Sequence, residues 1–341
     1  MSRRRVFSVV PALRIALASV AFLFWQNARA ADEDALSQKV RAVFDHSKNA
    51  IVKIEAADEH GALSGTGFFV DPNGTLYTCY SVGGESHDIV VCNGEAKYPA
   101  TRLASDPRSG IAILKVETQK NSPFLTLGKS RELGIASMVI TIGYPMDLPI
   151  TPNFGVIGGF DMKYGDRFFA TAHIRANVPV QRGEGGAPLL NMRGEAVGIL
   201  VSSLEGGVGC FALPIEAAEK VRQDFMRFGE ARPGWLGIQF GKTEHEQNGS
   251  VVCVEDFVDE APALKAGMEK GDVLLQVGNT KIKSPDDVLA AAFYLTAGDQ
   301  VPITVLRGGE TLTLNVQPAD VAPRPTALLP NLDGIPLKVR R

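Results

Sequence analysis

Hydrolysis of an amide by a side chain needs a hydroxyl or thiol that attacks, an imidazole that takes its proton and a carboxylate that orients the imidazole. The imidazoles of this chain are His46, His60, His87, His173 and His245. His173 precedes the glycine-rich loop Gly183-Glu184-Gly185-Gly186, and Ser81, Ser202 and Ser203 could supply a hydroxyl. A surface or packed histidine is the commoner role for such residues, so a working site built from them is a minority expectation. The glycine loop is followed by no Lys-Ser/Thr pair, which argues against phosphate binding. Cys79, Cys92, Cys210 and Cys253 form no CxxC pair, and no His, Cys and acid cluster has ligand spacing. Neither a metal nor a cofactor is expected. The cysteines are open to pairing in an oxidising compartment or to burial as thiols.

Three stretches carry more information together. The first is Gly65-Thr66-Gly67-Phe68-Phe69-Val70-Asp71 followed by Leu76-Tyr77-Thr78-Cys79-Tyr80-Ser81-Val82. The second is Asp106-Pro107-Arg108-Ser109-Gly110-Ile111-Ala112-Ile113-Leu114. The third is Gly183-Glu184-Gly185-Gly186-Ala187-Pro188-Leu189-Leu190-Asn191. Thr141-Ile142-Gly143-Tyr144-Pro145 falls between the second and third, and the run from Asn191 to Ile199 follows the third. In this order the segments resemble the HtrA (high-temperature-requirement A) family of periplasmic serine proteases, over roughly residues 36–318. The resemblance implies a mostly β chain: a chymotrypsin/trypsin-like double β-barrel with its active site in the inter-barrel cleft, then an α+β PDZ domain.

In that family the matching positions carry His, Asp and Ser. Here they carry Ser81, Gly110 and Gly185. A serine hydroxyl does not titrate near neutral pH, and glycine has neither an orienting carboxylate nor a nucleophile. The resemblance therefore implies a degenerate triad and a catalytically inactive protein, with an active serine endopeptidase of non-standard site as the alternative. It also implies oxyanion-hole-like backbone N–H groups at Gly183 and Gly185, beside which Glu184 would place an opposing charge.

Length, charge and patterning describe what must position these residues. A chain of 341 residues suggests about two domains. Residues 1–30 read as a cleaved export signal: Arg3-Arg4-Arg5, an apolar run of 11 residues from Ile15 to Trp25, and Ala28-Arg29-Ala30. That run is short of the ~20 residues that span a bilayer, so a retained anchor is the lesser reading. A periplasmic or secreted location follows. Without this segment the chain holds 30 basic and 38 acidic residues, a net of −8, which disfavours nucleic acid as a partner.

Residues 32–48 carry helical spacing, and short apolar runs with turn signals follow at Ile51–Ile54, Gly67–Val70, Asp88–Val91, Ile111–Val116, Met138–Ile142 and Ala196–Val201. Asn73-Gly74 marks a hairpin. A helix over Ile215–Phe228 would close a first domain at residues 31–230. A second, at residues 231–318, begins near Ala231-Arg232-Pro233-Gly234. Residues 319–341 read as an extended, proline-rich tail.

In the second domain Gly234-Trp235-Leu236-Gly237-Ile238 resembles the carboxylate-binding loop of PDZ domains. The resemblance implies that the amides of Leu236, Gly237 and Ile238 hold a peptide's terminal carboxylate. The strand Ile238–Lys242 would pair with the peptide, and a helix over Pro285–Leu295 would wall the groove with Val288, Ala291 and Ala292. The plainer role of Leu236 and Ile238 is to fill a small core. The implied partners are protein C-termini or unfolded peptides. Assembly as a homo-trimer, or as a mixed oligomer with an active homologue, is likewise implied by the family alone.

Overall fold

The computed structural model describes residues 35–117, 122–245 and 249–320. The expected export signal and the residues after Asp320 lie outside them. The chain divides after Arg222 into two compact units, and the division falls within one helix, α3 (Ile215–Phe228).

The first unit holds two closed six-stranded barrels preceded by helix α1 (residues 35–47). Barrel one comprises β1 (Ile51–Asp58), β2 (Gly61–Phe69), β3 (Thr75–Cys79), β4 (His87–Asn93), β5 (Ala96–Asp106) and β6 (Ile111–Val116), in the order β1-β2-β3-β6-β5-β4. A one-turn helix, α2 (Tyr80–Gly83), leaves the end of β3. Barrel two comprises β7 (Met138–Gly143), β8 (Thr151–Tyr164), β9 (Arg167–Ala176), β10 (Pro188–Asn191), β11 (Ala196–Ser203) and β12 (Cys210–Pro214), in the order β10-β11-β12-β9-β8-β7. Closure removes the exposed strand edges that an open sheet would leave.

Each barrel is filled by its own apolar side chains. Val52, Ile54, Leu76, Val91 and Leu114 pack in the first, and Val139, Ile157, Ile174, Leu189 and Leu200 in the second. Full burial of each such side chain contributes about 1.5–3 kcal/mol. The hairpin predicted at Asn73-Gly74 joins β2 to β3. Asp71 Oδ1 accepts from Asn73 N–H at 2.9 Å and Thr75 N–H at 3.2 Å, and Gly74 takes φ +89°.

The second unit contains β13 (Gly234–Trp235), β14 (Ile238–His245), β15 (Gly249–Phe257), α4 (Pro262–Lys265), β16 (Val273–Val277), β17 (Thr280–Lys281), α5 (Pro285–Ala292), β18 (Val301–Arg307), β19 (Glu310–Val316) and β20 (Ala319–Asp320). Its main sheet runs β14-β15-β16-β18-β19, with β17 on β16. β14 is therefore an edge strand, and α5 packs beside it. Ser284 caps α5 in a reciprocal box with Asp287, and Pro285 sits in the first turn. Such a cap is worth ~1 kcal/mol.

α5 ends at Ala292, before the predicted Leu295, and α4 is shorter than the expected Ala261–Ala266. β20 pairs with β13, Gly234 opposite Asp320 and Trp235 opposite Ala319. Regular structure thus continues two residues beyond Pro318, where the sequence suggested an irregular tail. The pairing satisfies backbone groups that an extended tail would leave to water.

Candidate functional site

The cleft of the first unit, a cavity of about 650 Å³, lies where α2 of barrel one meets β11 and the 180–185 loop of barrel two. Ser81, Gly183 and Gly185 all line it. Ser81 is exposed on α2, with its Oγ 3.1 Å from the Cys79 thiol. Gly185 faces the same thiol, since a Cβ added there would lie 3.1 Å from Cys79 Sγ. Gly110 lies behind them. Its carbonyl accepts from Tyr80 N–H at 2.7 Å, and a Cβ there would touch Val201, which lines the cleft. The structure thus brings positions 81, 110 and 185 around one turn, Cys79–Val82.

The backbone at these positions is unusual. Gly110 has φ +80° and Gly183 has φ +95°, a region that costs an L side chain about 1–2 kcal/mol. A Cβ on Gly183 would also collide with the Tyr144 carbonyl oxygen. Thr66 pins this loop: its hydroxyl donates to Gly183 O at 2.8 Å and accepts from Tyr144 N–H at 3.1 Å, while its own N–H donates to Gly185 O at 2.8 Å. The N–H groups of Gly183 and Gly185 donate no hydrogen bond among the described residues.

Glu184 corrects an expectation. Its carboxylate does not oppose an anion in the cleft, because the side chain is fully buried and committed elsewhere. Asn153 Nδ2 donates to it at 2.8 Å and Gln181 N–H at 2.7 Å. Burial pushes its pKa above the ordinary carboxylate value, against those two donors. The Cys79 thiol is also raised by burial, with Ser81 pulling the other way. Cys79 and Thr66 both stand within the motifs that carry the resemblance, but residue type alone assigned neither a place at the cleft.

No described histidine lines the cleft. His173 on β9 is buried, with Nδ1 2.8 Å from Thr171 O and its ring stacked 4.2 Å from Phe169. Burial lowers its pKa to about 4. β12 separates β9 from β11, so two ladder spacings, ~10 Å, divide the strands of His173 and Ser202. His87 opens β4 and faces Asp88 in solvent; His46 and His60 are exposed. All four cysteines are unpaired, Cys79, Cys92 and Cys210 being buried and Cys253 partly so.

In the second unit Gly237 takes φ +76°, and a Cβ there would lie 2.6 Å from that of Ala261. Only glycine fits this approach. Its carbonyl accepts from Val258 N–H at 2.9 Å, while the N–H groups of Leu236 and Gly237 donate to nothing among the described residues. Antiparallel pairs alternate between bonded and open, so bonding at Gly237 turns the Ile238 N–H towards the outer edge of β14. The Leu236 and Gly237 amides are thus without a partner among the described residues, next to that edge. The expected groove wall needs correction. Val288 and Ala291, one helical turn apart, are buried in the core cluster with Leu236, and Ala292 and Leu289 stay exposed.

A trypsin-like peptidase domain profile matches residues 65–199, and a PDZ domain profile matches residues 234–317. The chain carries a trypsin-like peptidase domain followed by a PDZ domain. It is 29% identical over 270 residues to a probable periplasmic serine endoprotease DegP-like from Chlamydia trachomatis, covering 76% of this chain and 54% of that protein. A protein of the same description from Pseudomonas fluorescens is 29% identical over 258 residues, covering 72% of this chain and 54% of that protein. The chain thus spans about half the length of these curated relatives. Among solved structures it is similar to the HtrA-type protease AlgW with tripeptide, with a TM-score of 0.66 and 22% identity over 83% of this chain and 98% of that one. This peptidase-like domain holds the barrels and the cleft, and the PDZ domain holds the amide loop and the free edge of β14. No helix of the described residues is long and apolar enough to cross a membrane.

Proposed function

We propose that this protein is an exported, catalytically inactive relative of the HtrA/DegP endoproteases that binds protein C-termini or extended peptides through its PDZ domain. It acts in the periplasm as a chaperone-like binder, a scaffold or a regulator of an active relative, alone as a trimer or in mixed assemblies. One observation carries the reading: around the turn Cys79–Val82 stand Ser81, Gly110 and Gly185, and no described histidine or carboxylate lines the cleft. Losing all members of a triad leaves only the rate that binding and oxyanion stabilisation supply. Relatives named as periplasmic endoproteases support the periplasm.

Those same descriptions name serine endoproteases and favour a second reading, a working endopeptidase of envelope protein quality control. Purified protein decides between them. The inactive reading expects no labelling by a fluorophosphonate probe and no casein cleavage. Cleavage lost on Ser202→Ala or His173→Ala would establish the enzyme instead. Peptide capture is tested by pull-down from envelope extract with the native chain and with Gly237→Asp, which sets a like charge at the carboxylate loop. Equal recovery of partners by both baits refutes the PDZ reading. A simple PDZ adaptor loses all partners when residues 234–318 are deleted, whereas a chaperone-like binder keeps some.

A further inference from the structure

We propose that the cleft of the peptidase-like domain is a second ligand site, one that takes the free carboxylate end of an apolar peptide. It is distinct from the PDZ loop, and the inference stands whether or not that loop binds.

The lining of the cleft decides the charge of its ligand. Among the described residues Arg182 is the one charged side chain on it, and no carboxylate lines it. Two nearby acids, Glu184 and Asp147, are withdrawn, and Glu205, exposed beside the lining Gly206, does not itself line the cleft. Glu184 is buried against Asn153 and Gln181. Asp147, whose charge couples to Arg182, is held by Lys53 Nζ at 2.9 Å and Ser64 Oγ at 2.9 Å. Beside Arg182 stand the Gly183 and Gly185 N–H groups, which donate to no acceptor among the described residues. Unpartnered backbone amides in such a concavity bind anions.

The shape decides which anion. Position 185 carries no side chain, so the approach to its N–H is open. A Cβ there would meet only Cys79 Sγ and Val82 within 4 Å. Leu63, Val82, Val180, Leu200 and Val201 make much of the rest of the wall apolar. One cation, two amides and an apolar trough fit a chain of apolar residues that ends in a single negative charge. An internal peptide bond offers one neutral oxygen, whereas a carboxylate offers two charged ones, and charge-assisted hydrogen bonds are roughly twice as strong. A cavity of about 650 Å³ lies within the range that holds small ligands, ~300–1,000 Å³.

The test uses the full chain carrying Gly237→Asp, which removes the PDZ loop from the measurement. Fluorescence anisotropy reads the binding of three labelled apolar hexapeptides: one with a free carboxylate end, one amidated, and one amidated with glutamate last. The free acid is expected to bind at least about tenfold more tightly than either amidated peptide, and Arg182→Glu to remove that preference. In the otherwise native chain, Arg182→Glu lowers the stoichiometry by one peptide. Arg182 is exposed, and replacing it buries no charge, so this variant folds if the native chain does. Equal binding of the amidated and free peptides, equal binding of the glutamyl amide, or indifference to Arg182→Glu overturns the proposal. The two sites fail separately: binding unaltered by Gly237→Asp sinks the PDZ reading, and no binding by the Gly237→Asp chain sinks this one.

Discussion

The Cys79 thiol lies 3.1 Å from the Ser81 hydroxyl and within 3.1 Å of where a Cβ on residue 185 would sit. It therefore fills the space between the two positions that a nucleophile and its base would occupy. A contact that tight must give by a few tenths of an ångström before a larger side chain fits, and packed interiors resist such shifts.

Restoring the three family residues is expected not to restore catalysis. The variant Ser81→His, Gly110→Asp, Gly185→Ser places a β-carbon at φ +80° on residue 110, costing about 1–2 kcal/mol, and crowds Cys79. Casein cleavage should stay at background, and adding Cys79→Ala should raise the melting temperature of the triple variant. Turnover by the triple variant alone would show that the backbone is free to reach a productive geometry.

Glu184 should leave a mark on the pH dependence of stability. Its folded-state pKa is raised above 4.5 by burial, so the folded state holds the proton more tightly than the unfolded state. Stability then falls as pH rises from about 4.5 through the raised value, and the penalty is complete above it. Glu184→Gln removes that slope and costs about 1 kcal/mol, because one of the two donors from Asn153 and Gln181 loses its acceptor. Urea midpoints of both proteins between pH 4 and 7 read the difference. Parallel curves would mean that Glu184 does not titrate there.

The PDZ domain should fail in the opposite direction. Asp272 is buried, which by itself raises its pKa, but Arg307 and the Glu269 N–H prevail and hold it below 3.8. Arg307 Nε and Nη2 each reach a carboxylate oxygen at 2.7 Å. The stability this pair contributes is present above pH 4 and is lost as pH falls through the depressed value. Arg307→Met strands a buried carboxylate and should lower the unfolding midpoint of this domain at pH 7. Added Asp272→Leu should recover part of the loss. No recovery would place the effect elsewhere on Arg307.

Thiol chemistry should separate the four cysteines. Cys79, Cys92 and Cys210 are buried, and burial pushes Cys210 up to about 12 with Glu184 adding to it. Only Cys253 is partly exposed. A disulfide reagent at pH 8 should therefore modify one thiol quickly in the native protein and four after unfolding, since thiolate and access both control the rate. Two fast thiols would contradict the burial of one of the three.

Much of the fold could be read from local patterning. Ile111–Val116 and Ile215–Phe228 appear at the predicted bounds, because each is a clean apolar run or helical period between turn signals. The long strands β8 and β9 were not seen. Their stretches Thr151–Tyr164 and Arg167–Ala176 mix glycines, charges and aromatics, and bulges shift their register, so neither shows a steady alternation. At the site, positions 183, 185 and 237 were marked by the family resemblance, and at 183 and 237 a backbone or side chain lies too close for a larger residue. The direction of Glu184 and the burial of Val288 depend on tertiary packing, which residue type alone does not encode.

The short ladder between β13 and β20 sets Gly234 opposite Asp320, so the first and last described strands of the second unit meet at one corner. Such a unit can be spliced into a host loop like a cassette, since entry and exit lie side by side. A fluorophore or partner fused directly after Asp320 begins one strand's width from the segment that leads to Leu236. A label at that junction would report on, or obstruct, whatever docks there.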